Sequence, residues 1–582
     1  MLAEQITQAK EPIISCEQCG MCSSACPITG VEGFNIRRIE RAVQLGAVDG
    51  LLHSQIPWLC TTCGRCETAC PNGYRVMTTT RTLRRMMPPE LTPPAAACRV
   101  ACPAGMDAPR YIRLIAEGKF DAAYSVIRET APMPGILGRA CAHPCEEQCR
   151  RAAVDQSISI CALKRFAADQ AEADFPPVAT AADSGRRVAV VGSGPAGLTA
   201  AFYLRKKGHA VTLLEAREQA GGMLRYGIPT YRLPQEVLDR EIGDILAMGV
   251  DFRPGTALGE QTTIEQLQAE YDAVLLAVGA QSSRDLDLEG ADRPNVLLGA
   301  LEYLADVRAG REVALKGRVV VIGGGSAAMD AARTALRLGA EQVSVVYRRQ
   351  REAMPALPEE LEQALEEGVV LYDGAIVHAA QSAGDGETLS CACQKVTIDT
   401  AAPHGTLRLL PVEGGEFTLE ADVIIAAIGQ EPALSFLDPK GPVRMMGGLI
   451  DVDLATQVTG LAGVFAAGDA ASRAAGQPGT IISAIAAGRR AAAAIDRHLG
   501  GDGEIGETLY AGDTAAGYSG EREEGFAYKS RLSEPTLPLP ERAGSFVEVN
   551  CGFNAETAMA EAGRCLNCDL EIAMARNGGP PA

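Results

Sequence analysis

Cys16, Cys19, Cys22 and Cys26 follow the spacing C-x2-C-x2-C-x3-C, closed by Pro27, and Cys60, Cys63, Cys66 and Cys70 repeat it, closed by Pro71. Two-residue gaps in a tight loop let three thiolates face one centre, as a four-iron cubane requires, whereas zinc usually takes one C-x2-C pair per half-site. A second kind of chemistry is written in glycines. Val188–Val191 runs into Gly192-x-Gly194-x-x-Gly197, and Glu215 ends the next strand-like run. The first glycine permits a tight turn, the second lets backbone approach a pyrophosphate, and the third lets the helix pack on the strand. The acid then meets a ribose. GRVVVIGGGSAAMDAARTALRLGAEQVSVVYRR repeats the unit with Gly323, Gly324, Gly325, Ser326 and Ala327, Ala328 taking the third glycine position. There Tyr347 stands where the acid would be, followed by Arg348 and Arg349. Guanidinium groups at that point favour a 2′-phosphate, hence NADP(H) over NAD(H).

These residues need elements to carry them. The 582 residues allow roughly four domains of about 150 residues each. The expected fold is an α/β two-dinucleotide-binding-domain flavoprotein with parallel sheets, preceded by two mainly α-helical iron–sulfur domains. The expected divisions are 1–90, ferredoxin-like with two [4Fe–4S] clusters around a helical stretch Ile36–Ala47, and 91–170, a helical iron–sulfur domain with runs such as Tyr111–Ile127. Polar, Pro-containing 171–185 reads as a linker. The first part of the FAD domain is expected at 186–300, the NAD(P)H unit at 301–420 and the second part of the FAD domain at 421–500, so that the NADP unit interrupts the FAD domain. A surface linker is expected at 501–545 and a Cys-containing tail at 546–582.

Several stretches resemble known families. In two-cluster ferredoxins the fourth cysteine of each run serves the other cluster. That arrangement assigns Cys16, Cys19, Cys22 and Cys70 to one cluster and Cys60, Cys63, Cys66 and Cys26 to the other. CEQCGMCSSACP, NIRRIERAVQLGAVD and IPWLCTTCGRCETACP resemble the C subunit of heterodisulfide reductase over roughly residues 10–85. CRVACP, GRACAHPCEEQC and ISICALKRF resemble the helical cluster domain of the glutamate synthase small (beta) subunit, shared with dihydropyrimidine dehydrogenase and the large subunit of NADH-dependent ferredoxin:NADP oxidoreductase. The resemblance extends over about residues 95–500 and departs at TPPAAA, where the first two cysteines of the family's run are absent. One cluster is then completed by Cys102, Cys141, Cys145 and Cys161, while the other keeps Cys98 and Cys149. Cys565 and Cys568, in EAGRCLNCD, are expected to restore the missing pair in space; the alternative is a separate zinc or interface site. Either that second cluster is lost or its ligands arrive from the tail, where Cys551 is a further candidate beside Cys565 and Cys568; Cys391 and Cys393 read as core residues of a strand.

The same resemblance implies FAD at the first fingerprint, held by Gly192, Gly194, Pro195, Ala196, Gly197, Glu215 and Ala216, with Gly222, Met223, Arg225 and Ile228 of GGMLRYGIPTYRLP bordering the flavin ring. GLAGVFAAGDAAS resembles the second FAD motif of such flavoproteins through Gly468 and Asp469, and Thr480 opens a helix facing the flavin.

The expected function is an electron-transfer oxidoreductase subunit linking NAD(P)H, FAD and [4Fe–4S] clusters to other redox subunits of a transhydrogenase, bifurcating or heterodisulfide-reductase-like complex. Ferredoxin is a further candidate partner, and no acid–base residue is needed for hydride transfer. The alternative is a glutamate synthase small subunit, which normally lacks the ferredoxin-like extension. A net charge of −19 and 4% aromatic residues argue against nucleic acid. Without a signal peptide or an apolar run of about 18 residues, a cytoplasmic protein with no membrane span is expected, where nineteen cysteines do not read as disulfides.

Overall fold

A computed structural model describes residues 16–171, 180–290, 296–311, 313, 315, 317–382, 388–399, 408–473, 479–512 and 518–577. The N-terminal MLAEQITQAKEP and most of the expected 171–185 linker lie outside them. The chain forms two compact units. One comprises Met1–Phe175, Gly506–Glu534 and Gly552–Ala582, the other Pro176–Ile505 and Pro535–Cys551. The stretches 501–545 and 546–582 are therefore each divided between the units. Phe526 and Ala527 are buried with Cys63, Val154 and Leu566 in the core of the first.

The first unit is built of short helices. Ile36–Gln44 starts where the Asn35 side chain accepts from Arg38 N (3.1 Å), and it buries Ile36, Ile39 and Val43 on one face. The helical run expected over 111–127 is two helices, Ala108–Ala116 and Phe120–Arg128. Gly118 between them takes a left-handed conformation (φ +74°), which ends the first helix. The tail adds helices Ala555–Ala562 and Cys568–Asn577. The latter lies on helix Val76–Met86, pinned by Glu571, whose carboxylate accepts from Arg81 (2.7 Å) and Arg84 (3.3 Å).

The second unit holds two parallel five-stranded sheets. The first has the order Val464–Ala466, Ala273–Leu276, Arg187–Val191, Ala210–Leu214, Asp251–Arg253. The second has the order Leu297–Gly299, Val423–Ala426, Arg318–Ile322, Gln342–Tyr347, Val370–Asp373. Near-continuous runs such as VAVV, VVV and VIIA are what strands covered on both faces require. Because Val464–Ala466 pairs with Ala273–Leu276, the second sheet is an insertion in the first domain, and its strands Leu297–Gly299 and Val423–Ala426 lie outside the expected 301–420. A three-stranded antiparallel sheet, Ala375–Ser382, Leu389–Ile398 and Leu409–Ala421, completes the inserted part. Cys391 and Cys393 lie buried on its middle strand with Leu389 and Ile424. Burial pushes their thiols up to about 11 and about 12, so both stay neutral.

Candidate functional site

At the first fingerprint each glycine has a distinct physical reason. Gly192 is left-handed (φ +103°), and a Cβ there would overlap the Ala277 carbonyl. A Cβ on Gly197 would overlap the carbonyl oxygen of Gly192, so the helix Pro195–Lys206 reaches the strand only without a side chain. Gly194, by contrast, faces open space, the cradle a pyrophosphate needs. Pro195 opens the helix at a position where its missing N–H costs nothing. Glu215 is buried at the end of Ala210–Leu214 and accepts from Ser193 N (3.0 Å) and Arg217 N (3.0 Å), which leaves lone pairs for a ribose. Ala196 is buried and Ala216 exposed.

Gly222 packs against the Cα of Gly194, and Gly221 N donates to the Ser193 carbonyl (3.1 Å), placing the following Met223 beside the fingerprint loop. Ile228 N closes that turn on Met223 O (3.2 Å). The Arg225 guanidinium is spent on Ala220 O (2.5 Å) and Asp239 (2.6 Å), and so holds the loop's shape from behind.

Gly468 and Asp469 follow the strand Val464–Ala466 and line a cavity of about 220 Å³ with Gln457, Arg473, Ser483 and Arg490. Burial pushes the Asp469 carboxyl up, while Arg473 at 3.0 Å pulls it down. Thr480 caps helix Ile481–His498, accepting from Ser483 N (3.2 Å). Sequence reasoning missed Gly488, whose Cβ would overlap the Ala196 carbonyl; it lets this helix cross the fingerprint helix closely. It also missed Arg473 and Arg490, the cations of the cavity. The basic pair Arg489–Arg490 inside an Ala-rich run was the available signal.

The second fingerprint repeats the design. A Cβ on Gly323 would overlap the Ala427 carbonyl, and Gly325 faces open space ahead of Ser326 and Ala327 in helix Ser326–Arg337. Tyr347 is not free for a nucleotide: its ring packs under Gly324 and its hydroxyl donates to Ala353 O (3.1 Å). Arg348 is exposed, Arg349 half-buried with its guanidinium 5.5 Å from the Tyr347 ring. Among the described residues neither pairs with a carboxylate, and Arg349 Nε is buried without a partner. An orphaned guanidinium beside a phosphate loop fits an anionic substituent on the ribose.

The cysteines fall into groups. Among the described residues no three of His, Cys, Asp or Glu converge closely enough for one metal ion. The thiols are nevertheless near enough to raise one another. After burial, Cys66 is raised by Cys60, Cys63 and Cys26, and Cys26 by Cys60 and Cys63. Cys22 is influenced by Cys16; Tyr74, which feels Cys16, donates its N–H to Cys70 Sγ (3.3 Å). Cys19 is exposed on the same loop. In the central region Cys102, Cys141, Cys145 and Cys161 surround Lys164, a buried ammonium whose Nζ donates to Leu137 O (3.2 Å). Burial disfavours its charge, and negative charge on the four cysteines raises its pKa above the ordinary lysine value. A buried cation among four cysteines fits a negatively charged cluster.

A backbone signature accompanies these loops. Gln18, Thr62 and His143, none of them glycine, are left-handed (φ 60°, 51° and 36°). Thr62 N and His143 N donate to Cys60 Sγ and Cys141 Sγ, both at 3.4 Å. Such conformations are uncommon and cost energy; at Thr62 and His143 they turn the N–H onto a cysteine sulfur two residues earlier.

Residues 186–488 match the family model for pyridine nucleotide-disulphide oxidoreductases, which spans more than half of the chain. The chain belongs to this family. Residues 91–175 match dihydropyrimidine dehydrogenase domain II with its 4Fe–4S cluster, and residues 12–74 a 4Fe–4S dicluster domain. The NADP(+)-dependent formate dehydrogenase subunit beta of Moorella thermoacetica is 39% identical over 81% of this chain and 70% of its own length. The NADPH-Fe(3+) oxidoreductase subunit beta of Geobacter sulfurreducens is 36% identical over 82% of this chain and 76% of its own. The glutamate synthase [NADPH] small chain of Azospirillum brasilense is 35% identical over 68% of this chain and 85% of its own. This pyridine nucleotide oxidoreductase is thus of the small-subunit-like kind, as its motifs implied. It is an enzyme that uses NAD(P)H, FAD and [4Fe–4S] clusters and moves electrons among them. No helix among the described residues is long and apolar enough to cross a membrane.

Proposed function

We propose that the chain is the nicotinamide-facing subunit of a larger redox assembly, exchanging electrons with NADP(H) and passing them to partner redox subunits or a ferredoxin. Bound FAD supplies the conversion between a two-electron hydride and the single electrons that clusters carry. The protein's part is to place its groups. Gly323–Ala327 receive the pyrophosphate of NADP(H), and Arg348 and Arg349 its 2′-phosphate. Gly192–Gly197, Glu215, Gly468 and Asp469 hold the FAD, and Thr480 presents the N-terminal end of its helix to the flavin. Cys16, Cys19, Cys22 and Cys70 hold one cluster, Cys26, Cys60, Cys63 and Cys66 a second, and Cys102, Cys141, Cys145 and Cys161 a third. The observation that carries the reading is that Arg348 and Arg349, at the end of Gln342–Tyr347 where an NAD-selective site would place a carboxylate, pair with no carboxylate among the described residues, and that Arg349 Nε is buried without a partner. Two relatives named as beta subunits support membership of an assembly. The second reading, a glutamate synthase small subunit, is favoured by the 35% identity to such a chain; the matched dicluster domain over 12–74 speaks against it.

Anaerobic titration tests the proposal. NADPH is expected to bleach the visible flavin absorbance, with more than one equivalent per flavin consumed as the clusters take up electrons, and NADH is expected to be far less effective. A flavin that neither nucleotide reduces would sink it. Co-purification of a glutamate-forming subunit would favour the second reading.

A further inference from the structure

The loop Cys565-Leu566-Asn567-Cys568 repeats the knuckle geometry of the N-terminal quartets. Asn567 is left-handed (φ 51°) and its N–H donates to Cys565 Sγ (3.5 Å), as Thr62 (φ 51°) does to Cys60 Sγ. The loop is held in one place. The Arg564 guanidinium, almost fully buried, donates to Lys529 O (2.9 Å), Gln156 O (2.8 Å), Asp155 (3.1 Å) and Glu561 (2.6 Å). Arg151 in turn donates to Arg564 O (3.1 Å), which ties the loop to the turn that begins after Cys149. From another side Arg113 pairs with Asp569 (2.8 Å). Cys98 is in helix Ala97–Ala101, which packs on Pro144–Glu147, the short helix that leads into Cys149.

We propose that Cys98, Cys149, Cys565 and Cys568 hold one [4Fe–4S] cluster, its ligands drawn from both ends of the chain. The C-terminal loop supplies a C-x2-C pair that the central region lacks. The site also has neighbours on two sides. Arg522 donates to Thr62 O (2.9 Å) and to Leu566 O (2.7 Å), so one guanidinium bridges the Cys60 knuckle and the Cys565 knuckle. Leu566 and Cys568 pack in one apolar cluster with Cys63. On the other side helix Ala97–Ala101 meets helix Ala108–Ala116, whose buried Tyr111 donates to Ile160 O (3.3 Å) next to Cys161. The site therefore connects the central cysteines with the N-terminal quartets. One electron enters from one neighbour and one leaves to the other, with no atom transferred. Only the source of those electrons, the hydride of NAD(P)H, rests on the function proposed above.

Iron and zinc analysis of anaerobically purified full-length protein tests the site. Cys98→Ser and Cys568→Ser are each expected to lose about four of about sixteen irons per chain, and the combined variant no more than either. Cys551→Ser, an exposed cysteine, is expected to lose none. Unchanged iron in the combined variant, additive loss of about eight irons, or stoichiometric zinc that disappears with Cys568→Ser would each overturn the proposal. Should the serine variants shed flavin as well, alkylation of the unaltered holoenzyme decides. Iodoacetamide is expected to label Cys551 at once, and Cys565 and Cys568 only after a chelator has stripped the iron. Labelling of that pair with all clusters in place, or none after stripping, would overturn it. Flavin bleaching by NADPH is read separately, so failure of the site and failure of the proposed function are distinguishable.

Discussion

The clearest chemistry at the residue scale is a charge without a partner. Arg349 Nε is buried and unbonded beside a phosphate loop, with Arg348 exposed next to it. A charge-assisted hydrogen bond contributes about 1.5–3 kcal/mol. Arg349→Ala is therefore expected to raise KM for NADPH about 10- to 100-fold and to leave reduction by NADH within a few-fold; steady-state flavin reduction with both nucleotides checks it. Equal loss with both would place the guanidinium elsewhere. Gly488 belongs to the same scale. Its Cβ would overlap the Ala196 carbonyl, and overpacking costs about 1–3 kcal/mol. Gly488→Val is expected to yield protein that folds with lowered flavin content, measured as bound flavin per chain. Both fingerprints were legible in the sequence because each glycine answers a local need of strand, turn and helix. Gly488 was not, because what it avoids, Ala196, lies far away along the chain.

Elements are joined by buried ion pairs whose loss has a definite sign. Burial pushes the Glu571 carboxyl up, but Arg81, Arg84 and Arg522 around it bring it down to about 2. Glu571→Gln leaves three buried cations short of an anion. It is expected to loosen helix Cys568–Asn577 from Val76–Met86 at a cost of about 3–5 kcal/mol, seen as faster hydrogen exchange confined to those two helices. In the nucleotide-binding unit Glu367 accepts from Arg333 (2.7 Å) and Arg337 (2.6 Å). Burial raises its carboxyl, and the two guanidinium groups more than reverse this, so it lies below the ordinary glutamate value. A depressed acid contributes stability that is present above pH of about 4.5 and lost as pH falls through the folded-state value. Flavin release on heating is accordingly expected at lower temperature as pH drops below about 4.5. Glu367→Gln is expected to flatten that dependence; an unchanged pH profile in the variant would refute the assignment. The break at Gly118 shows what a periodicity reading passes over: apolar spacing continues through 111–127, but one left-handed glycine divides the run.

At the scale of the whole molecule the two units rely on different forces. The nucleotide-binding unit buries Val, Ile, Leu and Ala across two sheets. The cysteine-bearing unit is made of helices often of four or five residues, such as Arg65–Thr68 and Met21–Ala25, with cysteines inside its cores. Short helices are marginal alone, and metal binding to a site absent from the unfolded chain is folding free energy. Removing the clusters with a chelator is expected to open the region 16–171 to protease while 186–500 stays resistant and keeps its flavin. Uniform digestion of both would contradict this division.

The sequence by itself determined the chemistry: two cubane spacings, two dinucleotide fingerprints and the basic pair after Tyr347 are local patterns, each set by a loop of a few residues. The cysteine pattern and its resemblances already suggest Cys26 with Cys60, Cys63 and Cys66, and Cys565 and Cys568 with Cys98 and Cys149; the structure sets these groups near one another. Only the tertiary structure decided the remaining partners, Lys164 among four cysteines and Gly488 against Ala196. The physical reason is that closing a long loop costs little more than closing a short one. Separation along the chain therefore gives no hint of contact; packing and buried charge select the partners.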